Sequence, residues 1–351
     1  MNSKLKKIGL VGLSTVITGL LVYALITRTQ AADWRRLIVH LNYSVFMGYL
    51  ALYGLNLVLR TWRYQLLLRA AQAPKLPSFG KLTLVTMVRN MLVDFLPARI
   101  GSLSYVVILN RILKVDLAFC LASFTYAFIF DLLGLVPLLA GLVLVNLPAL
   151  TRLHPVFGAL ALLLCGGALL SAWLVGPVLN GLGKRLDRSG VRWEKKSWYR
   201  KLVQQVRELG DSFQALRTGR VWGITWGLSI LIRMGKYLML ALLLSAIIEA
   251  VAGTGVRIPW LWLLVGLIAS EAATALPVGG LAGFGLYEGV LGSILAGQGI
   301  DPGQALLVSF AQHGLTQLVD YSLGGGALGY IFYFWAGQGK TDSTASIRSN
   351  I

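Results

Sequence analysis

Six apolar runs govern what this chain can fold into: residues 8–26, 45–68, 117–147, 156–179, 221–248 and 305–335. Each approaches or exceeds the roughly 20 residues an α-helix needs to cross the hydrocarbon core of a bilayer. With 56% hydrophobic and 13% charged residues over 351 positions, too few polar side chains remain to cover a water-soluble fold. The expectation is an all-α polytopic membrane protein with about six full spans. Its first run follows Lys4, Lys6 and Lys7 and is long enough to be a retained helix rather than a cleaved secretory signal. Cys120 and Cys165 both sit inside apolar runs, which indicates neither a disulfide framework nor a metal cluster. No cofactor and no metal are expected.

The formal charge of +18, from 32 Lys and Arg against 14 Asp and Glu, sets orientation and contact with anionic lipid before it suggests any other partner. Nucleic acid is not expected. Basic residues gather before the first run, after the second (Arg69, Lys75, Lys81) and through residues 183–220, which places these segments and both termini in the cytoplasm. Within 183–220, Trp198, Leu202, Val206, Leu209, Phe213 and Leu216 recur at steps of three and four. That spacing predicts a basic amphipathic helix lying on headgroups or packed on its own protein. The polar tail over 337–351 is expected to be disordered.

Two further apolar stretches are interrupted, 82–113 at "DFLPARIGS" and 258–295 at "ALPVGGLAGFGLYEG". Irregular backbone at membrane depth survives only where protein or a water-filled cavity covers it, so both read as broken re-entrant hairpins. Their hinge candidates are Pro97, Gly101, Pro277, Gly279, Gly280, Gly283 and Gly285.

The chain repeats itself. "GLNLVLRTWRY" (54–64) aligns with "GLSILIRMGKY" (227–237), placing Arg60 on Arg233, Arg63 on Lys236 and Tyr64 on Tyr237 at an offset of 233 − 60 = 173. Leu96-Pro97 then matches Leu276-Pro277, Asp116 matches Asp301, and Asp131 matches Asp320. Each repeat would hold two spans, a broken hairpin and a third span, with the hairpins opening to opposite sides, so the two halves are inverted. The expected segments are a first membrane repeat over 1–182 (including the start of the second half near 155), the basic interfacial helix over 183–220, a second repeat over 221–336 and the tail. Inverted repeats with broken helices are a construction of alternating-access transporters, with the site where the halves meet.

Charges inside apolar runs carry the chemistry. A Lys or Arg at the centre of a membrane helix costs about 2.5 to 3.5 kcal/mol on insertion scales, so each must be paired, solvated or met by substrate. Arg60, Arg63, Arg233 and Lys236, joined by Arg89 and Arg99, are the candidates for binding an anionic headgroup, since Arg offers bidentate contacts to phosphate and Lys a point charge. Asp94, Asp131, Glu271, Glu288 and Asp320 are candidate proton carriers or ion-pair partners. Closed ion pairs holding the repeats together are the competing reading, and snorkelling is a further one for Arg60 and Arg63. His313 reads as a hydrogen-bonded packing residue, and Gly324 to Gly326 as a site of close helix contact.

"LPARIGSLSYVVILNR", "VDLAFCLASFTYAFIFD" and "GFGLYEG" together resemble a flippase-like membrane family named after the transmembrane region of lysylphosphatidylglycerol synthetase. The resemblance runs from about Arg60 to Tyr333, with Leu-Pro-x-Arg-x-Gly at 96–101 and Gly-x-x-Glu at 285–288 as its motifs. It implies movement of a lipid with a charged or glycosylated headgroup between leaflets, without a nucleotide-driven motor. Family members described as glycosyltransferases keep a membrane glycosyltransferase with a polyprenyl-phosphate donor as the alternative, and a small-anion transporter is the third reading. Where the family often carries Glu, or Glu-Arg, this chain has Ser102 and Ala127-Phe128, which argues against an aminoacylated cationic phospholipid as cargo. The partners expected are membrane lipids bearing phosphate, with a homo-oligomer an open option.

Overall fold

The computed structural model describes residues 3–145, 203–208, 210–211, 219–276 and 280–336, with isolated positions between 166 and 185. All regular structure among the described residues is helical. In chain order the helices are α1 (Ser3–Arg28), α2 (Ala31–His40), α3 (Tyr43–Ala70), α4 (Phe79–Phe95), α5 (Ser104–Arg111), α6 (Leu117–Leu133), α7 (Val136–Val145), α8 (Gly219–Ala252), α9 (Trp260–Thr274), α10 (Leu286–Gly297) and α11 (Pro302–Tyr330). A 3-10 segment, Pro97–Leu103, separates α4 from α5, a shorter one, Leu281–Gly283, precedes α10, and a π-helical turn, Ile331–Ala336, follows α11.

Local chemistry sets the boundaries. The Gln30 amide donates to Asp33 Oδ2 at 3.1 Å, starting α2 afresh after a 92° bend from the preceding helix. Leu96 is extended (φ −97°, ψ 137°), as a residue before proline must be, and α4 ends there. Asp301 caps α11 by accepting from the amides of Gly303 (2.9 Å) and Gln304 (3.2 Å), with Pro302 at the first helical position.

Among the described residues two stretches suffice by length and composition to cross a bilayer, Leu117–Gly141 and Arg220–Ala252, or three if the bent pair counts as one span. The sequence led us to expect six. Helices α3 and α11 have the length, at 28 and 29 residues, but not the apolarity. Asn56, Arg60, Arg63 and Arg69 interrupt the first, and Gln304, Gln312, His313, Gln317 and Asp320 the second. The expected span at 156–179, most of the amphipathic helix at 183–220 and the tail lie outside the described residues; 203–208 are helical.

Contacts divide the chain into two compact units. The first comprises Met1–Leu55, Met87–Ser104 and Gly235–Ile351; the second, Asn56–Thr86 and Tyr105–Met234. All four boundaries fall inside helices, in α3, α4, α5 and α8.

In the first unit α10 packs on both α9 and α11, α1 and α2 lie against α11, and the two 3-10 segments touch each other. Close approach is written in glycine. A Cβ on Gly303 would stand 2.1 Å from the Arg28 carbonyl oxygen, and one on Gly324 would stand 2.4 Å from Met91 Cβ, whereas Gly325 and Gly326 face open space. The core includes Leu267, Leu291, Leu295 and Val308, all fully buried.

In the second unit α6 continues into α7, and a Cβ on Gly134 would meet the Ser229 carbonyl oxygen at 2.7 Å, so the end of α6 rests directly on α8 backbone. Tyr105, fully buried, stacks on Tyr64 with ring centroids 4.2 Å apart and pairs its hydroxyl with Ser123 at 3.1 Å. Cys120 is a buried free thiol in this core.

Candidate functional site

Each unit contains its own cluster of charged side chains. The cluster of the second unit is built on helical spacing: Asn56, Arg60 and Arg63 share one face of α3, while Ser229 and Arg233 share one face of α8. Asp131 of α6 is their counter-charge. Arg63, 1% exposed, donates from one NH1 to Asp131 Oδ1 and to Ser229 Oγ, both at 2.8 Å. Arg233 Nε donates to the Asp131 carbonyl oxygen at 3.0 Å and lies 3.7 Å from Oδ1 of the same residue. Arg60 Nε donates to Asn56 Oδ1 at 2.9 Å, and Asn56 in turn donates to the Ile232 carbonyl oxygen at 2.7 Å. Three guanidinium groups thus gather around one carboxylate among the described residues.

The cluster of the first unit is richer in acid. Lys236 forms an ion pair with Glu271 Oε1, and the Tyr237 hydroxyl donates to Oε2 at 3.1 Å. Arg99 reaches the end of α9, donating to the Glu271 carbonyl oxygen at 2.9 Å and approaching Thr274 Oγ1 at 3.5 Å. That places a cation at a helix C-terminus, where the unpaired carbonyls carry partial negative charge. Asp94 lies within electrostatic reach of Lys236, Arg99, Glu271 and His313. The Tyr53 hydroxyl donates to Asp320 Oδ1 at 2.5 Å.

A third group of contacts holds the second 3-10 segment. Glu288, fully buried, accepts the Gly285 amide on Oε2 (2.6 Å) and meets His313 Nδ1 on Oε1 (2.6 Å). His313 Nε2 lies 2.7 Å from Gln317 Nε2, which also donates to the Ala282 carbonyl oxygen at 2.6 Å. The imidazole is sandwiched by Tyr287 and Phe284, with ring centroids at 4.3 and 4.7 Å.

Of the expected binding residues, Arg60, Arg63 and Arg233 come together in the second unit, and Arg99 and Lys236 in the first. Arg89 is half-buried on α4 with its Nε lacking a hydrogen-bond partner, and no described contact joins it to either cluster. All five expected carboxylates are engaged: Asp131 in the second unit, and Asp94, Glu271, Glu288 and Asp320 in the first. Pro277 and Gly279 lie outside the described residues. Gly101 closes the first 3-10 segment onto α4, where a Cβ would fall 1.7 Å from the Leu92 carbonyl oxygen. Gly280 is crowded by the Phe284 carbonyl oxygen, at 2.1 Å from where its Cβ would be. Gly283 and Gly285 adopt φ of +80° and +96°, a region glycine enters without steric cost.

Asn56, Ser229, Tyr53 and Gln317 are partners that reading the sequence missed. The first two carried a signal: 229 − 56 = 173, the offset of the repeat, so the aligned fragments already pair a polar residue four positions before the first cation of each copy.

The family model described as the lysylphosphatidylglycerol synthase TM region matches residues 10–324. No curated protein and no solved structure matches the chain.

Proposed function

The chain belongs to the family of the lysylphosphatidylglycerol synthase transmembrane region, and from that premise we propose that it is a lipid transporter that moves a phosphate-bearing lipid between leaflets. The membership makes it a lipid-related membrane protein. The finer reading is that the chain carries six spans and two re-entrant hairpins in two inverted repeats, sits in the cytoplasmic membrane with both termini inside, and works by alternating access. It acts without covalent chemistry.

The observation that carries this reading is the convergence of Arg60, Arg63 and Arg233 around Asp131 within helices of a lipid-related family. At about 2.5 to 3.5 kcal/mol per cation, such a group is expensive to insert, and function is the default explanation for intramembrane charge. Guanidinium is also the group whose planar fork matches a phosphate, so a phosphodiester headgroup is the chemistry these residues suit. On this reading Asp131 is the resident anion, and the lipid phosphate competes with its carboxylate for the two arginines that hold it.

The test reconstitutes wild type and an Arg60→Gln, Arg233→Gln variant into vesicles with fluorescent phospholipid analogues and measures loss of signal to an impermeant reductant. Lipid retained by each protein is identified by mass spectrometry. Wild type is expected to exchange lipid and retain a distinct phosphate-bearing species, and the folded variant to do neither. Unchanged exchange in the variant overturns the reading. A covalent product formed from donor and acceptor lipids would instead make the protein an enzyme.

A further inference from the structure

The imidazole of His313 has an assignable proton inventory. Gln317 Nε2 lies 2.6 Å from the Ala282 carbonyl oxygen, which has only lone pairs to offer, so the amide nitrogen and not its oxygen must face that side. The same NH2 group lies 2.7 Å from His313 Nε2 and gives it the second hydrogen. Nε2 is therefore an acceptor and carries no proton. The ring proton sits on Nδ1 and is donated to Glu288 Oε1 at 2.6 Å, while Glu288 Oε2 accepts the Gly285 amide at 2.6 Å. Every donor meets an acceptor when His313 is neutral and Glu288 is a carboxylate.

We propose that His313 is a proton-binding site whose occupancy is read by the 3-10 segment Leu281–Gly283. A proton arriving from water binds at Nε2 and makes the ring an imidazolium that donates from both nitrogens. It then faces the NH2 of Gln317, donor against donor, and the amide must rotate to present its oxygen. Rotation withdraws the hydrogen bond to Ala282. That residue holds φ 54° and ψ 28°, a left-handed conformation that costs a non-glycine residue strain and persists only while its surroundings impose it. Protonation thus frees the segment at its most strained residue, next to Gly283 and Gly285.

The charged and titratable groups around the ring are Glu288 and Tyr287 from α10 and Asp94 from α4, with Asp320 two turns along its own helix; Lys236, Arg99 and Glu271 bear on it through Asp94. Glu288 receives Nδ1–H in both states, so this contact does not change when the proton arrives. The inference rests on contacts within the first unit and not on which lipid is moved, so it survives or fails separately from the transport reading.

The test is hydrogen–deuterium exchange of the full chain in lipid nanodiscs between about pH 5 and pH 8, bracketing the ordinary histidine value of ~6.5, with rates corrected for intrinsic chemistry. In wild type the amides of 282–289 are expected to lose about five-fold or more in protection at the acid end, the effect of losing one intramolecular hydrogen bond. Gln317→Met, which has no donor for the Ala282 carbonyl, is expected to exchange fast at every pH, and His313→Gln to show no pH dependence. If His313→Gln is not monodisperse, wild type and Gln317→Met decide. With three histidines in the chain, 15N-histidine spectra also give the tautomer directly, expected as Nδ1–H above the transition. A pH-invariant segment in wild type, a wild-type pH response in Gln317→Met, or an Nε2–H tautomer overturns the proposal.

Discussion

Replacing Asp131 by Asn isolates the value of the charge at the centre of the second unit, since shape and hydrogen-bonding capacity are nearly kept. At an effective dielectric of about 20, its attraction to Arg63 at 2.8 Å is roughly 6 kcal/mol and to Arg233 at 3.7 Å roughly 4.5 kcal/mol. Most of this is offset by desolvation of all three groups. What remains visible is the penalty for leaving buried guanidinium without its counter-charge, about 3 to 5 kcal/mol. Asp131→Asn should therefore lower stability by that amount in reversible detergent-induced unfolding. Arg63→Met should be costly too, because Asp131 then loses the guanidinium that donates directly to its carboxylate. The double variant Arg63→Met, Asp131→Leu removes the buried pair as a unit and should recover a coupling energy of about 2 kcal/mol or more relative to the sum of the singles. Additive effects, or a loss under about 1 kcal/mol for Asp131→Asn, would show that water or lipid already screens these groups and that the ion pair is incidental.

Gly101→Ala places a methyl 1.7 Å from the Leu92 carbonyl oxygen, so the first 3-10 segment must lift off α4; faster limited proteolysis within 97–103 is the expected readout, and wild-type protection would refute it. Asp301→Ala removes the cap of two α11 amides and should lower stability by about 0.5 to 2 kcal/mol, with Asp301→Ser recovering most of it. Tyr53→Phe deletes the hydroxyl bound to Asp320 and leaves a charged acceptor short of one donor, a loss of about 1 to 3 kcal/mol in the same unfolding assay.

The helical, membrane-embedded class was legible because apolar run length is a direct consequence of bilayer thickness. Span number was not, for a physical reason: α3 and α11 depart from apolarity at the residues that build the polar clusters, so composition alone ranks them below the spans they match in length. The carboxylates were legible as a set, because any acid in such surroundings must find a partner, but the pairing was not. That Asp131 would take Arg63 depends on which helix faces lie together. Gln317 was invisible for another reason: a neutral amide at helical spacing gives no signal until the Ala282 carbonyl and the His313 ring are seen to lie against it. Arg99 shows the limit from the other side. Its motif was recognised, but its φ of 54° and its reach to the end of α9 are tertiary facts.

The match between 54–64 and 227–237 in sequence is not carried through to the ion pairs. Arg63 and Lys236 are equivalent by sequence, and each ends on a carboxylate, but the acids come from non-equivalent elements: Asp131 from α6 in one unit and Glu271 from α9 in the other. Asp320, the sequence counterpart of Asp131, accepts a tyrosine hydroxyl. Identical wiring would give the two halves identical preferences, and a cycle between two equivalent arrangements could not be biased by a proton or by a lipid phosphate. A ligand shifts an equilibrium only by its differential affinity for the two states. Under the two proposals above, divergent pairing supplies that difference: a phosphate would compete with Asp131 for arginine in the second unit, and a proton at His313 would act on the 3-10 segment of the first.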